Sequence, residues 1–170
     1  MVSEEDLGAV LDELHRLRNR VPQLTGALAA GVDGLVVAHD TPGVDPEGLA
    51  ALTAAALGVA VRVADATRNG GFRELLVRGE RGYVATYAAG RTAVLTLLAQ
   101  DRVNVGRLHL EGRRSGARIG ELLDAADAAA REARRAGRPL GAVSSAPPTR
   151  TRTTRTPRAT STDAHTATDS

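Results

Sequence analysis

The residues in this 170-residue chain whose types could support chemistry are four histidines, a pair of aspartates one helical turn apart, and 22 arginines. His15, His39, His109 and His165 fall on different segments, and none has a ligand-like partner four residues away, as a zinc site on a helix would require. Surface or capping roles fit them better. Asp124 and Asp127 share an alanine-rich helix with Arg131, the pattern of a solvated helix face and not of a carboxylate pair for acid–base work. No serine stands in a Gly-x-Ser-x-Gly turn. Lysine is absent, so the phosphate-binding loop that ends in Gly-Lys-Ser/Thr cannot form. With no cysteine, neither a disulfide nor a thiolate metal centre is available. The expectation is a protein that is not an enzyme, with no catalytic residue, no metal and no cofactor.

Charge narrows the partners. Residues 1–140 hold 18 arginines and 18 acidic residues, while the remainder holds four arginines and two aspartates. The body is therefore neutral and the net +2 comes from the tail. Single-strand binders pair basic grooves with stacking aromatics, and this chain has only Phe72, Tyr83 and Tyr87. No nucleic acid partner is expected. The acidic start, MVSEEDLGAV, is unlike a secretory signal. The longest nearly apolar run is the 14 residues from Gly48 to Val61, short of the roughly 20 that span a bilayer. The expected location is cytoplasmic, peripheral at a membrane only through partners and without direct insertion.

The elements follow from periodicity and punctuation. Ser3 with Asp6 three residues on forms an Asp version of the capping box, and Leu7, Val10, Leu11, Leu14, Leu17 and Val21 then share one helical stripe that Pro22 ends. A hairpin spans residues 24–40, with Gly31 and Gly34 expected at positive φ in its turn. Asp45 and Pro46 start a second helix, and Asn69-Gly70-Gly71 stops it. Between Gly48 and Val61 its only polar side chain is Thr53, and a helix apolar all round must be covered on more than one side. A second copy of the chain can supply the missing cover. Three strands follow from Phe72, Gly82 and Thr92 as a meander. Asn104 then caps a long helix whose inner face reads Val105, Leu108, Gly112, Ser115, Ile119, Leu122 and Ala126. Residues 1–140 are expected to form the domain, and 141–170, rich in Thr, Arg and Pro, a disordered tail.

The segments LTGALAAGVDGLVVAHD, the helix after it, GERGYVATYAAG and TAVLTLLAQDRVNVGRLHLEGRRSGARIGELL occur in the order helix, two strands, helix, three strands, helix. In these residues and this order the chain resembles the bacterial branch of the roadblock / dynein light chain family, over about residues 4–130. The resemblance implies an α+β fold, a five-stranded antiparallel sheet with the central helix on one face and the terminal helices on the other. It implies a homodimer with one continuous sheet, formed where the third strand, from Phe72 to Arg78, meets its own copy. Leu57, Val61, Phe72, Glu74 and Leu76 are the candidate dimer residues. It also implies a signalling role as the partner of a small Ras-like GTPase, regulating its hydrolysis or location, and a sensor-kinase-like protein among further partners.

The candidate partner-binding residues are Thr53, Arg62, Asp65 and Arg68, polar groups on and beside an apolar helix. An arginine finger from Arg62 or Arg68 is the sharper reading, since such a group strongly accelerates phosphoryl transfer in other GTPases. Family activators resemble devices that reshape the GTPase itself, so partner binding is the better expectation. The alternative is a small-ligand sensor or general interaction module, which needs convergent polar groups in a pocket. The inward strand positions read as Ala, Leu and Val, with no buried polar cluster in view.

Overall fold

The computed structural model describes residues 3–136, and the predicted tail at 141–170 lies outside the described residues. The elements are α1 (Glu4–Arg20), β1 (Leu24–Gly31), β2 (Val36–Asp40), α2 (Pro46–Ala66), β3 (Glu74–Gly79), β4 (Gly82–Ala89), β5 (Ala93–Gln100) and α3 (Val105–Ala136). Each helix starts where a side chain takes over an orphan amide. Ser3 Oγ accepts from Asp6 N while Asp6 Oδ2 accepts from Ser3 N, both at 3.2 Å. Asp45 Oδ2 accepts from Gly48 N at 2.9 Å, and Asn104 Oδ1 accepts from Arg107 N at 2.9 Å.

The strands form one antiparallel sheet in the order β2-β1-β5-β4-β3. Alternation along the strands divides the interior into two layers. Ala27, Ala29, Ala85, Tyr87, Leu95 and Leu97 pack with Val10, Leu14 and Leu17 of α1 and Leu108 and Ile119 of α3. The opposite positions, Leu28, Ala30 and Val94, pack with Ala50 and Leu57 of α2. The expected architecture is therefore present, with α2 on one face and the terminal helices on the other. The layer under α1 and α3 is the larger. Val10, Leu14 and Leu17 are fully buried, and each such side chain contributes about 1.5–3 kcal/mol.

α3 approaches the sheet through glycines spaced a turn apart. A Cβ at Gly112 would lie 2.4 Å from the Tyr87 ring, and one at Gly120 would lie 2.2 Å from Gly90 N. The buried face is Leu108, Gly112, Ser115, Gly116, Ile119, Gly120 and Leu123. Leu123 replaces the expected Leu122, which is only half-buried, because contact follows the glycine row instead of the apolar stripe.

Two further expectations are corrected. Only Gly34 of the hairpin glycines has positive φ, at 85°. Gly31 is needed for space, since a Cβ there would meet Asp33 Oδ1 at 2.3 Å, and that oxygen accepts from Leu35 N in closing the turn. The inward positions also hold a polar node. Thr86 and Thr96 face α2, their hydroxyls 3.2 Å apart, and Thr96 Oγ1 lies 3.4 Å from Thr53 Oγ1. All three side chains are buried.

Candidate interaction surface

α2 rests on the sheet along Ala50, Thr53 and Leu57 and leaves the rest of its apolar surface open. Leu52 is 71% exposed, Val59 64% and Val63 56%. The spacing 52, 56, 59, 63 makes a second apolar stripe beside the first. Its lower half forms one wall of a cleft of about 710 Å³. The opposite wall comes from Phe72 to Leu75 at the start of β3, the last strand on its side of the sheet. Among the described residues, the helix and the outer edge of β3 thus lack a cover in the same place. α2 is also longer than its apolar run. Over 18 residues its mean hydropathy is 1.6, and by length and composition the 21-residue helix could cross a membrane.

The expected contact residues separate on the structure. Arg62 and Asp65 are exposed on α2 and do not line the cleft. Val61 is 36% exposed. Phe72 is half-buried, lining the cleft while packing on the layer that holds Leu57. Thr53 is no rim residue. It faces the sheet, where Thr96 is its partner, because position 53 falls on the same helical stripe as Ala50 and Leu57. Leu57, 8% exposed, belongs to the same inward stripe and packs in the layer of Leu28 and Val94, so it supports the surface without forming it.

Arg68 ends α2 at φ 58°. Asn69 N donates to Ala64 O at 2.9 Å and Arg68 N to Asp65 O at 3.1 Å, the paired bonds of a Schellman cap whose left-handed residue is usually glycine. An arginine here places a cation on the negative end of the helix dipole.

Glu74 and Leu76 lie on the α3 side of β3. Arg113 donates twice to the Glu74 carboxylate, 2.6 Å to each oxygen, and Tyr87 Oη lies 3.1 Å from His109 Nδ1. His109 Nδ1 is in turn 3.7 Å from Glu74. The Arg113 hydrogen bonds hold Glu74 below the usual carboxylate range, against the upward pull of its burial. Burial and the nearby Glu74 charge push the Tyr87 hydroxyl well up, so it stays protonated. Leu76 is 37% exposed. Periodicity could not reveal this cluster, because its members come from three elements far apart in the sequence. That α2 needs a second cover was legible in its sequence, because it is apolar nearly all round, but which of its faces stays open was not.

A Roadblock/LC7 domain profile matches residues 10–99. This chain belongs to the Roadblock/LC7 family. One protein of Methanocaldococcus jannaschii is 30% identical over 112 residues, 65% of this chain and 94% of that relative. A second from the same organism is 32% identical over 102 residues, 59% of this chain and 89% of the relative. Among solved structures, an MglB with tetrameric arrangement superposes with TM-score 0.69 at 21% identity, covering 74% of this chain and 96% of that one. The gliding protein MglB of Thermus thermophilus gives 0.66 at 20% identity, covering 72% and 93%. A Roadblock/LC7 domain of Streptomyces avermitilis gives 0.62 at 22%, covering 66% and 96%. These structures share the Roadblock fold described above.

Proposed function

We propose that this Roadblock/LC7 protein is a non-enzymatic homodimeric regulator that binds a small Ras-like GTPase and modulates its hydrolysis or location. The observation that supports this reading is the coincidence of the open α2 stripe, the apolar cleft and the free edge of β3. An isologous dimer covers all three with one symmetric contact, since β3 pairs with its own copy and the two α2 helices lie side by side. Arg62 and Asp65, outside the cleft, then stand at the rim of the paired helices, the mix of apolar centre and polar edge found at protein interfaces. Membership in the Roadblock/LC7 family supports a GTPase as the partner. Its sensor-kinase-like companion and its place in the cytoplasm belong to the same reading, with any membrane contact made through partners.

Calorimetry tests it, using small Ras-like GTPases of the source organism, each loaded with a non-hydrolysable GTP analogue or with GDP. The expected result is preference for the GTP form, lost when Arg62→Glu is combined with Asp65→Arg. Equal affinity for both nucleotide states, or an unaffected charge reversal, overturns the assigned surface. A hydrolysis rate unchanged at saturation would leave a scaffold in place of an activator. Flotation with anionic vesicles checks the other cover for α2. Wild-type protein rising with the lipid would assign the apolar stripe to a bilayer.

A further inference from the structure

On the opposite side of the sheet from α2, α1 and α3 enclose a cleft of about 450 Å³. Its floor is a closed polar network. Ser115 Oγ donates to Glu13 Oε1 at 2.7 Å, and Arg20 donates to Glu13 at 2.9 Å and to Glu111 at 2.7 Å. Its rim is different. Arg16 and Arg118 have side chains 64% and 57% exposed, and Arg114 makes no ion pair among the described residues. Together four arginines and two glutamates line the cleft. Arg16 reaches Glu13 only at 3.7 Å and Asp12 at 4.0 Å, and Arg118 holds the largely exposed Glu121 at 3.2 Å. The Arg16–Asp12 and Arg118–Glu121 pairs are exposed at both ends and contribute about 0–1 kcal/mol, so a partner's carboxylates can displace them. Ala117, between the two α3 arginines, leaves the space open.

We infer that this cleft is a docking site for an acidic peptide segment, separate from the α2 surface and able to be filled at the same time. Spacing and charge favour that chemistry. Arg114 and Arg118 are one helical turn apart, about 5–6 Å between their Cβ atoms. Every second residue of an extended peptide lies about 6.6–6.8 Å along, so a Glu-x-Glu run presents carboxylates in step with them. A compact phosphate gains less, because it would have to sit above the Glu13 and Glu121 carboxylates to reach all three rim guanidinia. An extended segment keeps its charges at the rim.

The probe is a fluorescein-labelled Gly-Glu-Gly-Glu-Gly-Glu-Gly peptide, followed by fluorescence anisotropy with the full chain at about 50 mM salt, where screening is modest. The expected result is saturable binding, weakened at least about tenfold by Arg114→Glu with Arg118→Glu, because each replacement turns attraction into repulsion. Ala117→Trp, which fills the cleft without changing charge, weakens it too. Arg131→Glu with Arg135→Glu, the same charge change elsewhere on α3, leaves affinity within about twofold. Circular dichroism melts confirm that the exposed substitutions leave the fold intact. Equal losses from both charge reversals would reduce the effect to general electrostatics and overturn the site. So would an absence of saturable peptide binding, or tighter binding of an eight-nucleotide oligothymidine.

Discussion

At the scale of single residues, function and stability rest on small side chains with no room to grow and carboxylates with firm partners. Gly112→Ala or Gly120→Ala drives a methyl into the Tyr87 ring or the Gly90 backbone, and overpacking of this kind costs about 1–3 kcal/mol. Gly58→Ala on α2 meets nothing within 4 Å and should instead stabilise by about 0.5–1 kcal/mol, the helix-interior preference for alanine. Urea unfolding of the three variants measures both signs. Arg68→Gly removes a left-handed arginine and should raise stability by about 1 kcal/mol. Glu74 sets a pH response whose sign is fixed. Its carboxyl titrates below the ordinary value of 4.5 in the folded protein, so its contribution is complete above that value and is lost as pH falls through the lower folded one. The melting temperature advantage of wild type over Glu74→Gln should be constant near neutrality and vanish on strong acidification. Glu13, held low by Ser115 and Arg20 against the effect of its own burial, carries the same sign.

At the scale of elements, α2 has two apolar stripes with different duties, and substitutions separate them. Leu57→Glu places a charge in the layer with Leu28 and Val94, costing several kcal/mol because nothing there compensates it. It should unfold the domain. Val59→Glu with Val63→Glu alters side chains that are already exposed, so the fold should persist. If β3 and α2 meet their copies, light scattering should then show the mass falling from dimer to monomer, with faster amide exchange along β3. An unchanged mass would place the dimer contact elsewhere. The threonine node under α2 makes a third test. Thr96→Val leaves the buried Thr53 and Thr86 hydroxyls without their shared partner, a loss of about 1–3 kcal/mol by denaturation.

At the scale of the molecule, the sheet separates two surfaces. One carries the apolar stripe, the cleft and the free β3 edge. The other carries the charged groove between α1 and α3. In the function proposed above the first surface meets a GTPase, and in the docking inferred above the second meets an acidic segment, so that one folded body would link the two partners. The tail should contribute little to the fold. Beyond Val143 its apolar residues are isolated alanines, so ending the chain after Gly141 should move the melting temperature by less than about 5 °C.

Much of the architecture was legible in the sequence, because it depends on local rules. Ser3 with Asp6, Asp45 with Pro46, and Asn104 announced the helix starts, since capping side chains take up the first amides and proline suits the first helical position. The order of elements followed from periodicity and punctuation, and the Roadblock resemblance rested on that order. The fate of each α2 side chain was decided by tertiary structure. Along an almost uniformly apolar helix, periodicity gives no preferred angle, and contact with Leu28, Val94 and Thr96 turned Thr53 and Leu57 inward. The Glu74–Arg113–His109–Tyr87 cluster and the Glu13–Arg20–Ser115 network were equally hidden. Glu74 and Tyr87 lie far from His109 and Arg113 in the chain, and Glu13 and Arg20 lie far from Ser115, so it is the packing of α3 on β4 and against α1 that brings them within hydrogen-bond reach.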